Sequence, residues 1–328
     1  MILGIGNALV DIMTKLENDS FLEENNLPKG SMQLIDHELS EILDAKSTDL
    51  EKSLASGGSA ANTIHGIARL GMQTGFIGKV GNDEFGNFFH NDLENNKIES
   101  LLHRVDEPTG KALALISPDS ERTFGTFLGA AVGLTADDII ESEFQKYQIL
   151  HIEGYLVQNH DLMLAALEMA KKTGMKISLD LASFNVVEAN HEFLINIVEK
   201  YVDIVFANEE EAKAYTNMEP EEALEELSQI CEIAVVKVGK EGSFIKRGKE
   251  KVFVAPMEAE RRDTTGAGDL YAAGFLFGLV KGYSLESCGK IGTLLASKVI
   301  EVIGAKMDDS RWSDINASLE NMGLGTGA

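Results

Sequence analysis

Short apolar runs rich in β-branched residues recur along the chain, and longer segments with apolar residues at helical spacing separate most of them. The six clearest runs read ILGIG, GFIGKV, ILHIE, KISLDL, DIVFA and IAVVKV. Such alternation is typical of a parallel sheet that is covered by helices on both faces. The pattern predicts an α/β fold of three layers with a central, mostly parallel sheet.

One helical segment, DLMLAALEMAKKTG, shows this spacing clearly. Leu162, Ala166, Leu167 and Ala170 fall on one helical face, and Gly174 stands where a C-terminal cap belongs. We expect a helix that packs this face against the sheet.

Two segments interrupt the alternation, at residues 13–35 and 101–127. Within the second, KALALISPDSERTFGTF indicates two strands joined by a Ser-Pro-Asp-Ser turn. We expect the two segments to form a small β-sheet lid. Residues 1–12, 36–100 and 128–328 would then form the large α/β domain that binds the ligands.

The composition narrows the choice of partners. The 328 residues include 53 acidic and 29 basic ones, and the net charge of −24 disfavours binding to nucleic acid or to an anionic membrane. Two cysteines without metal-type spacing fit a reducing compartment. The chain shows neither a basic leader nor an uncharged run long enough to span a membrane. We expect a cytoplasmic protein that acts on a small molecule.

The stretch RRDTTGAGDLYAAGF places an acid where a long apolar run begins. If a helix starts near Gly266 and Ala267, the N–H groups of its first turn are unpaired and mark its positive end. Gly266 and Gly268 would let a phosphoryl group approach the backbone closely. A carboxylate beside a phosphoryl group is a poor phosphate-binding group, so Asp269 is better explained as a general base. From these residues alone, an ordinary acid in a first helical turn is an equal alternative.

Two other phosphate-binding patterns are missing from the sequence. G-x-x-x-x-G-K-[ST] does not occur, and GIGNAL lacks the third glycine of a dinucleotide fingerprint. A P-loop or dinucleotide site is therefore unsupported.

Five segments in the chain resemble, in order, the landmarks of the ribokinase-like (PfkB) carbohydrate and nucleoside kinases. GGSAANTIHGIARLG is similar to their N-terminal signature and DTTGAGDLYAAGF to their C-terminal one, while GNALVD, ANEEEA and VVKVGKEGS are similar to three further landmarks. The resemblance implies a ribokinase-like fold with a lid over the substrate, and phosphorylation of a hydroxyl by ATP and Mg²⁺.

For the reacting groups, the resemblance makes Asp269 the catalytic base and the amides of Gly266, Ala267 and Gly268 the anion hole. An N–H nest that faces the γ-phosphate agrees with the chemistry of phosphoryl transfer.

On the nucleotide side, Asn208 and Glu211 resemble an N-x-x-E element that organises Mg²⁺ and its waters. Gly239 and Gly242 resemble the turn that borders ATP. A solvated helix start and an ordinary hairpin turn are the alternatives for these two segments.

On the acceptor side, the resemblance implies contacts to substrate hydroxyls. The residues in matching positions are Asn7, Asp11, Gly57, Gly58 and Asn62. Arg122, in the expected lid, resembles an arginine that reaches the phosphate or the substrate, with a surface arginine as the alternative.

The resemblance also places a K⁺ site behind the anion hole. Asp263, Thr265 and the backbone around Ile303 and Gly304 match its segments. It leaves open a homodimer formed through the lid.

The acceptor itself is the least determined feature. GNALVD and YVDIVFANEEEA are similar to adenosine kinases, and SLDLASFNVVE departs from the D-x-N-x-R pattern of several sugar-acid and hexose kinases. Tyr155 falls where adenosine kinases stack an aromatic ring on the purine, although a half-buried core tyrosine explains it equally well. We expect an adenosine-like ribonucleoside. A free sugar such as ribose or fructose is the alternative, and a silent nucleotide-binding regulator is disfavoured because TGAGD is intact.

Overall fold

The computed structural model describes residues 1–119 and 121–325. Ser120, the last residue of the predicted turn, and residues 326–328, the end of the predicted large domain, lie outside the described residues. The strands are β1 (Ile2–Ile5), β2 (Leu9–Lys15), β3 (Met32–Leu34), β4 (Lys52–Gly57), β5 (Thr74–Gly81), β6 (Ile98–Val105), β7 (Gly110–Ile116), β8 (Arg122–Phe127), β9 (Ile149–Glu153), β10 (Lys176–Asp180), β11 (Ile204–Asn208), β12 (Ile233–Lys237), β13 (Ser243–Arg247) and β14 (Glu250–Val254). The helices are α1 (Ser20–Glu24), α2 (His37–Lys46), α3 (Ser59–Arg69), α4 (Glu84–Asn95), α5 (Glu141–Phe144), α6 (His160–Lys172), α7 (Phe184–Ala189), α8 (His191–Tyr201), α9 (Glu209–Thr216), α10 (Pro220–Ile230), α11 (Ala267–Val280), α12 (Leu285–Val299) and α13 (Asp309–Asn321).

Within the described residues, nine strands form a large sheet in the order β14-β13-β12-β11-β10-β9-β1-β5-β6. All pairs from β12 to β6 are parallel, and only β13 and β14 join in antiparallel fashion. All six apolar runs recognised in the sequence lie in this sheet, so the predicted α/β class is confirmed.

The sheet separates two hydrophobic layers, because successive side chains of a strand point to opposite faces. On β11, Ile204 and Phe206 join a core with α3, α11 and α12, whereas Val205 and Ala207 join a second core with α6 to α10. The predicted helix after β9 is α6, and its four predicted apolar residues are buried. Helices on both faces make the three predicted layers.

A second sheet of five strands has the order β3-β8-β7-β2-β4. β7 and β8 pair as the predicted antiparallel hairpin. Strand pairing departs from the expected lid segments in three places: residues 9–12 of β2 and residues 52–57 of β4 belong to the small sheet, and residues 101–105 belong to β6 of the large one. In addition, β1 is followed by the strand β2 rather than by a helix.

The helix predicted near Gly266 and Ala267 is α11, whose N-cap is Gly266 with φ of 76°. Its position places the TGAGD segment at the positive end of a buried helix. No helix in the described parts of the chain is both long and apolar enough to cross a membrane.

Candidate active site

Four neighbouring strands of the large sheet end in polar residues at one edge. β9, β10, β11 and β12 end with Glu153, Asp180, Asn208 and Lys237. Ligands of α/β proteins bind beyond the carboxyl ends of the parallel strands. The strand order therefore predicts a ligand site at this edge of the sheet.

Asp269 lies in the first turn of α11 and faces α3. Its Oδ1 accepts a hydrogen bond from Ser59 Oγ (2.7 Å), and its Oδ2 accepts one from Asn62 Nδ2 (3.0 Å). Burial raises the pKa of Asp269 to about 6, and the hydrogen bonds from Asn62 and Ser59 oppose the shift. The carboxylate is held in one orientation and titrates close to neutral pH.

The three amides of the expected anion hole differ in their hydrogen bonding. Ala267 N–H donates to the carbonyl of Thr264 (3.2 Å), whereas the N–H groups of Gly266 and Gly268 have no hydrogen-bond partner within residues 1–119 and 121–325. Two amides are therefore available to a ligand, and the third would first have to leave Thr264.

A cleft of about 900 Å³ opens at this end of α11. Most of the residues expected on the nucleotide side and at the anion hole line it. They are Asn208, Glu211, Gly239, Gly242, Ala267, Gly268 and Asp269, together with Tyr155. A nucleotide-sized space thus lies directly beside Asp269.

Asn208 and Glu211 form a reciprocal cap at the start of α9. Asn208 Oδ1 accepts from Glu211 N–H (2.8 Å), while the Glu211 carboxylate accepts from the backbone N–H (2.8 Å) and the side chain (2.7 Å) of Asn208. Glu211 is buried, unlike the exposed Glu209 and Glu210 beside it. Its carboxylate is therefore not part of a solvated helix start.

The donor set around Glu211 suits a hard cation. Burial raises the pKa of Glu211 to about 7, and the nearby Asp180 carboxylate adds to the shift. A carboxylate at the edge of a phosphate-binding cleft is the type of ligand that Mg²⁺ uses when phosphates and waters complete its shell. No group of three or more His, Cys, Asp or Glu in the described residues is arranged to hold a metal ion by itself.

The acceptor-side residues lie around the small sheet and the start of α3. A Cβ on Gly57 would collide with the Asp11 carboxylate, and one on Gly58, whose φ is 98°, would collide with the carbonyl of Asn7. Burial raises the pKa of Asp11 to about 7, with Lys306 opposing the shift and Asp269 adding to it. The structure brings Asn7, Asp11, Gly57 and Gly58 together near Asp269.

Arg122 on β8 is neither on the surface nor in the cleft. Its guanidinium pairs with the buried Asp263 carboxylate, which also accepts from the N–H groups of Thr265 (2.8 Å) and Gly304 (2.5 Å). The segments matched to a K⁺ site are therefore adjacent. However, the Asp263 carboxylate, which was the expected carboxylate of that site, is paired with Arg122.

Tyr155 follows β9 in a short 3₁₀ turn, Gly154–Gln158, and is partly buried at the cleft wall. Burial raises the pKa of Tyr155 to about 12, with the carboxylates of Glu153, Glu211 and Asp269 adding to the shift. The tyrosine lies beside the carboxylates of the site. This position is compatible with a ring that stacks on a base and equally with a tyrosine that only packs in the protein.

Residues 32–311 match the family described as pfkB family carbohydrate kinase. The chain belongs to this PfkB family. PfkB kinases transfer a phosphoryl group to an alcohol, so the chain is a phosphotransferase of the sugar and nucleoside kinase type.

Relatives of the chain are named as sugar kinases and as a nucleoside kinase of Methanocaldococcus jannaschii, which is 29% identical over 80% of this chain and 85% of its own length. An uncharacterized sugar kinase of Archaeoglobus fulgidus is 31% identical over 74% of this chain and 96% of its own length. A 5-dehydro-2-deoxygluconokinase of Geobacillus thermodenitrificans is 29% identical over 74% of this chain and 78% of its own.

Two solved structures are similar over nearly the whole chain. A probable sugar kinase from Rhizobium etli has a TM-score of 0.87 with 34% identity, and it covers 98% of both chains. The adenosine kinase from Sinorhizobium meliloti has a TM-score of 0.86 with 37% identity, covering 97% of this chain and 98% of its own. These PfkB structures support the ribokinase-like fold.

Sequence reasoning missed several charged residues of this PfkB site. Glu153 is buried, accepts from the backbone and side chain of Asn7 (2.9 and 2.6 Å) and from Ala60 N–H (3.1 Å), and has its pKa raised to about 7 by burial. Lys306 has a buried Nζ without a hydrogen-bond partner in the described chain. One signal was present for part of the set: Glu153, Asp180 and Lys237 are charged residues at or next to the carboxyl ends of the apolar runs ILHIE, KISLDL and IAVVKV.

Proposed function

We propose that the protein transfers the γ-phosphoryl group of ATP to the primary hydroxyl of an adenosine-like ribonucleoside. The observation that carries this proposal is the placement of Asp269. Its carboxylate is fixed by Ser59 and Asn62, titrates near pH 6, and stands where the nucleotide-sized cleft meets the acceptor-side residues.

In the proposed reaction, Asp269 accepts the proton of the acceptor hydroxyl. The hydroxyl oxygen forms a bond to the γ-phosphorus while the bond from that phosphorus to the bridging oxygen of ADP breaks. The products are ADP and the phosphorylated acceptor, and the proton resides on Asp269 until solvent removes it.

The positive end of α11 stabilises the charge of the transferring group. The free N–H groups of Gly266 and Gly268 would donate directly to a phosphoryl oxygen, and the N–H of Ala267 would donate to it after leaving the carbonyl of Thr264. Asn208 and Glu211 would hold Mg²⁺ through its waters, and this ion would supply charge compensation at the phosphates. Gly239 and Gly242 would border the nucleotide.

The acceptor is proposed on three grounds. The adenosine kinase from Sinorhizobium meliloti is 37% identical over almost the full chain. Gly57 lies against Asp11, Gly58 against Asn7 and Asn62 against Asp269, which supports an acceptor site on this side of Asp269. Tyr155 lies at the wall of the nucleotide-side cleft beside Glu153 and Asp269, and its ring would stack on a base that extends from the acceptor side past Asp269. A free sugar is the second candidate, because the named relatives include sugar kinases.

The test is a screen for ADP release with MgATP and adenosine, inosine, guanosine, ribose or fructose as acceptor. We expect adenosine to have the highest kcat/KM. Tyr155→Ala should lower kcat/KM for nucleosides about tenfold to a hundredfold, the size of a base–aromatic contact, and leave free sugars unaffected.

Tyr155→Phe is the matched variant, since it keeps the ring and loses only the hydroxyl. Preference for ribose or fructose, or nucleoside use that survives Tyr155→Ala, would reject the nucleoside and leave the kinase assignment standing.

A homodimer through the small sheet belongs to the proposal as well. Met32 and Leu34 on the edge strand β3 and Leu54 on the opposite edge strand β4 are exposed apolar residues. Sedimentation of the purified chain as a monomer would remove this part.

A further inference from the structure

Lys237 is a buried cation at the carboxyl edge of the large sheet. It ends β12, between Asn208 of β11 and Ser243 of β13 in the strand register. Its Nζ lies 3.0 Å from Asp180 Oδ2, and the two side chains are only 15% and 8% exposed. A buried ammonium needs a fixed negative partner, and Asp180 is that partner in this structure.

The same ammonium also stands at the start of α11. A Cβ placed on Gly268 would lie 3.1 Å from Lys237 Nζ, so the missing side chain of Gly268 leaves the space between them open. The N-terminus of a helix is its positive end, where cations are unfavourable and anions are stabilised. Two positive groups that converge on one open space are best explained by an anion that enters it.

We propose that Lys237 contacts the transferring phosphoryl group and that Asp180 holds its ammonium in place between turnovers. This inference rests on the proposed phosphoryl transfer at Asp269. In the phosphorylation step Lys237 forms no covalent bond. Its ammonium leaves one oxygen of Asp180 and contacts an oxygen of the phosphoryl group instead. The charge that develops on the phosphoryl oxygens then meets an ammonium as well as the α11 amides.

Asp180 is shaped for a holding role. Its Oδ1 accepts from Ala182 N–H (3.0 Å), and Ala182 has φ of 67°, in the left-handed region that a non-glycine residue rarely adopts. The turn fixes the carboxylate while its second oxygen faces Lys237.

The test compares the binding of two nucleotides that differ by the γ-phosphoryl group. Dissociation constants for ADP and for the β,γ-imido analogue of ATP, each with Mg²⁺, are measured by calorimetry for wild type and Lys237→Met. We expect the affinity for the imido analogue to fall about tenfold to a hundredfold, as for loss of a charged hydrogen bond, and the affinity for ADP to stay unchanged. We expect kcat to fall about 10²- to 10³-fold.

Lys213→Met is the matched control, because Lys213 is an exposed lysine on α9 that pairs with Glu219 away from the cleft. It should change neither dissociation constant. Equal losses for ADP and the imido analogue in Lys237→Met, or no loss for either, would overturn the proposal and leave Lys237 as a structural partner of Asp180.

Lys237→Met leaves Asp180 without its cation and beside Glu211, so this variant can fail to fold. The double variant Asp180→Asn, Lys237→Met removes both charges and is compared with Asp180→Asn alone. The proposal requires Asp180→Asn to bind the imido analogue more tightly than ADP, and it requires the double variant to lose that preference. A double variant that keeps the preference overturns the proposal.

The binding measurement also separates this inference from the proposed function. A wild-type protein that binds neither nucleotide refutes both. A wild-type protein that turns over its acceptor, with a Lys237→Met variant that retains the preference for the imido analogue, refutes only the role of Lys237.

Discussion

At the residue scale, the proposed role of Asp269 as general base would couple catalysis to pH. The raised pKa of about 6 means that the base is protonated in mild acid and free above neutrality. A general base works only when deprotonated, so activity should increase as the pH rises through this value.

We expect kcat/KM for the acceptor to rise with pH to a plateau, with an apparent pKa of about 6. Asp269→Asn should lower kcat by at least about a hundredfold, the low end for a positioned base, while calorimetry still detects nucleotide binding. A pH–rate profile of both proteins checks this prediction. Near-wild-type turnover by the variant would remove Asp269 from the reaction.

At the scale of elements, the start of α9 serves two purposes at once. The same Glu211 carboxylate that caps Asn208 is buried beside Asp180 at the cleft. A substitution there should change helix stability and, on the proposed function, also the charge available to Mg²⁺.

Glu211→Ala should raise the Mg²⁺ concentration needed for half-maximal activity more than it raises the KM of the acceptor, because the carboxylate acts at the phosphates. It should also lower the free energy of unfolding by about 0.5–2 kcal/mol through loss of the cap. Glu210→Ala, one residue away and exposed, is the control. An unchanged Mg²⁺ dependence would leave Glu211 with its capping role alone.

Some elements were predictable from sequence and others were not. The start of α11 was, because its glycine N-cap and long apolar run are local signals. β4 was not, because KSLASG has little strand propensity and is held by its pairing with β2. The Lys237–Asp180 pair was beyond sequence reasoning since it depends on which strands the sheet places near each other.

At the scale of the whole molecule, Arg122 ties the small sheet to the segment before α11. Its partner Asp263 also bonds to the backbone of Thr265 and Gly304, so one carboxylate connects three distant parts of the chain. A monovalent cation at the expected site would share this carboxylate with Arg122.

We therefore predict higher activity in potassium chloride than in tetramethylammonium chloride, with a larger difference in Arg122→Gln, where the Asp263 carboxylate is released to the cation. Initial rates of both proteins in the two salts at equal ionic strength are the measurement. Identical rates in the two salts for both proteins would eliminate the cation site.

The hydrogen bonds from Ser59 and Asn62 to Asp269 join residues 210 and 207 positions apart in the chain. During synthesis, the acceptor-side residues leave the ribosome long before α11 exists. On the proposed mechanism, a nascent chain that ends before α11 would lack both Asp269 and the amides of the anion hole, so it would have no means to transfer a phosphoryl group. Catalytic competence would then arise only after residues 59–62 and 266–269 have both been made and have packed together.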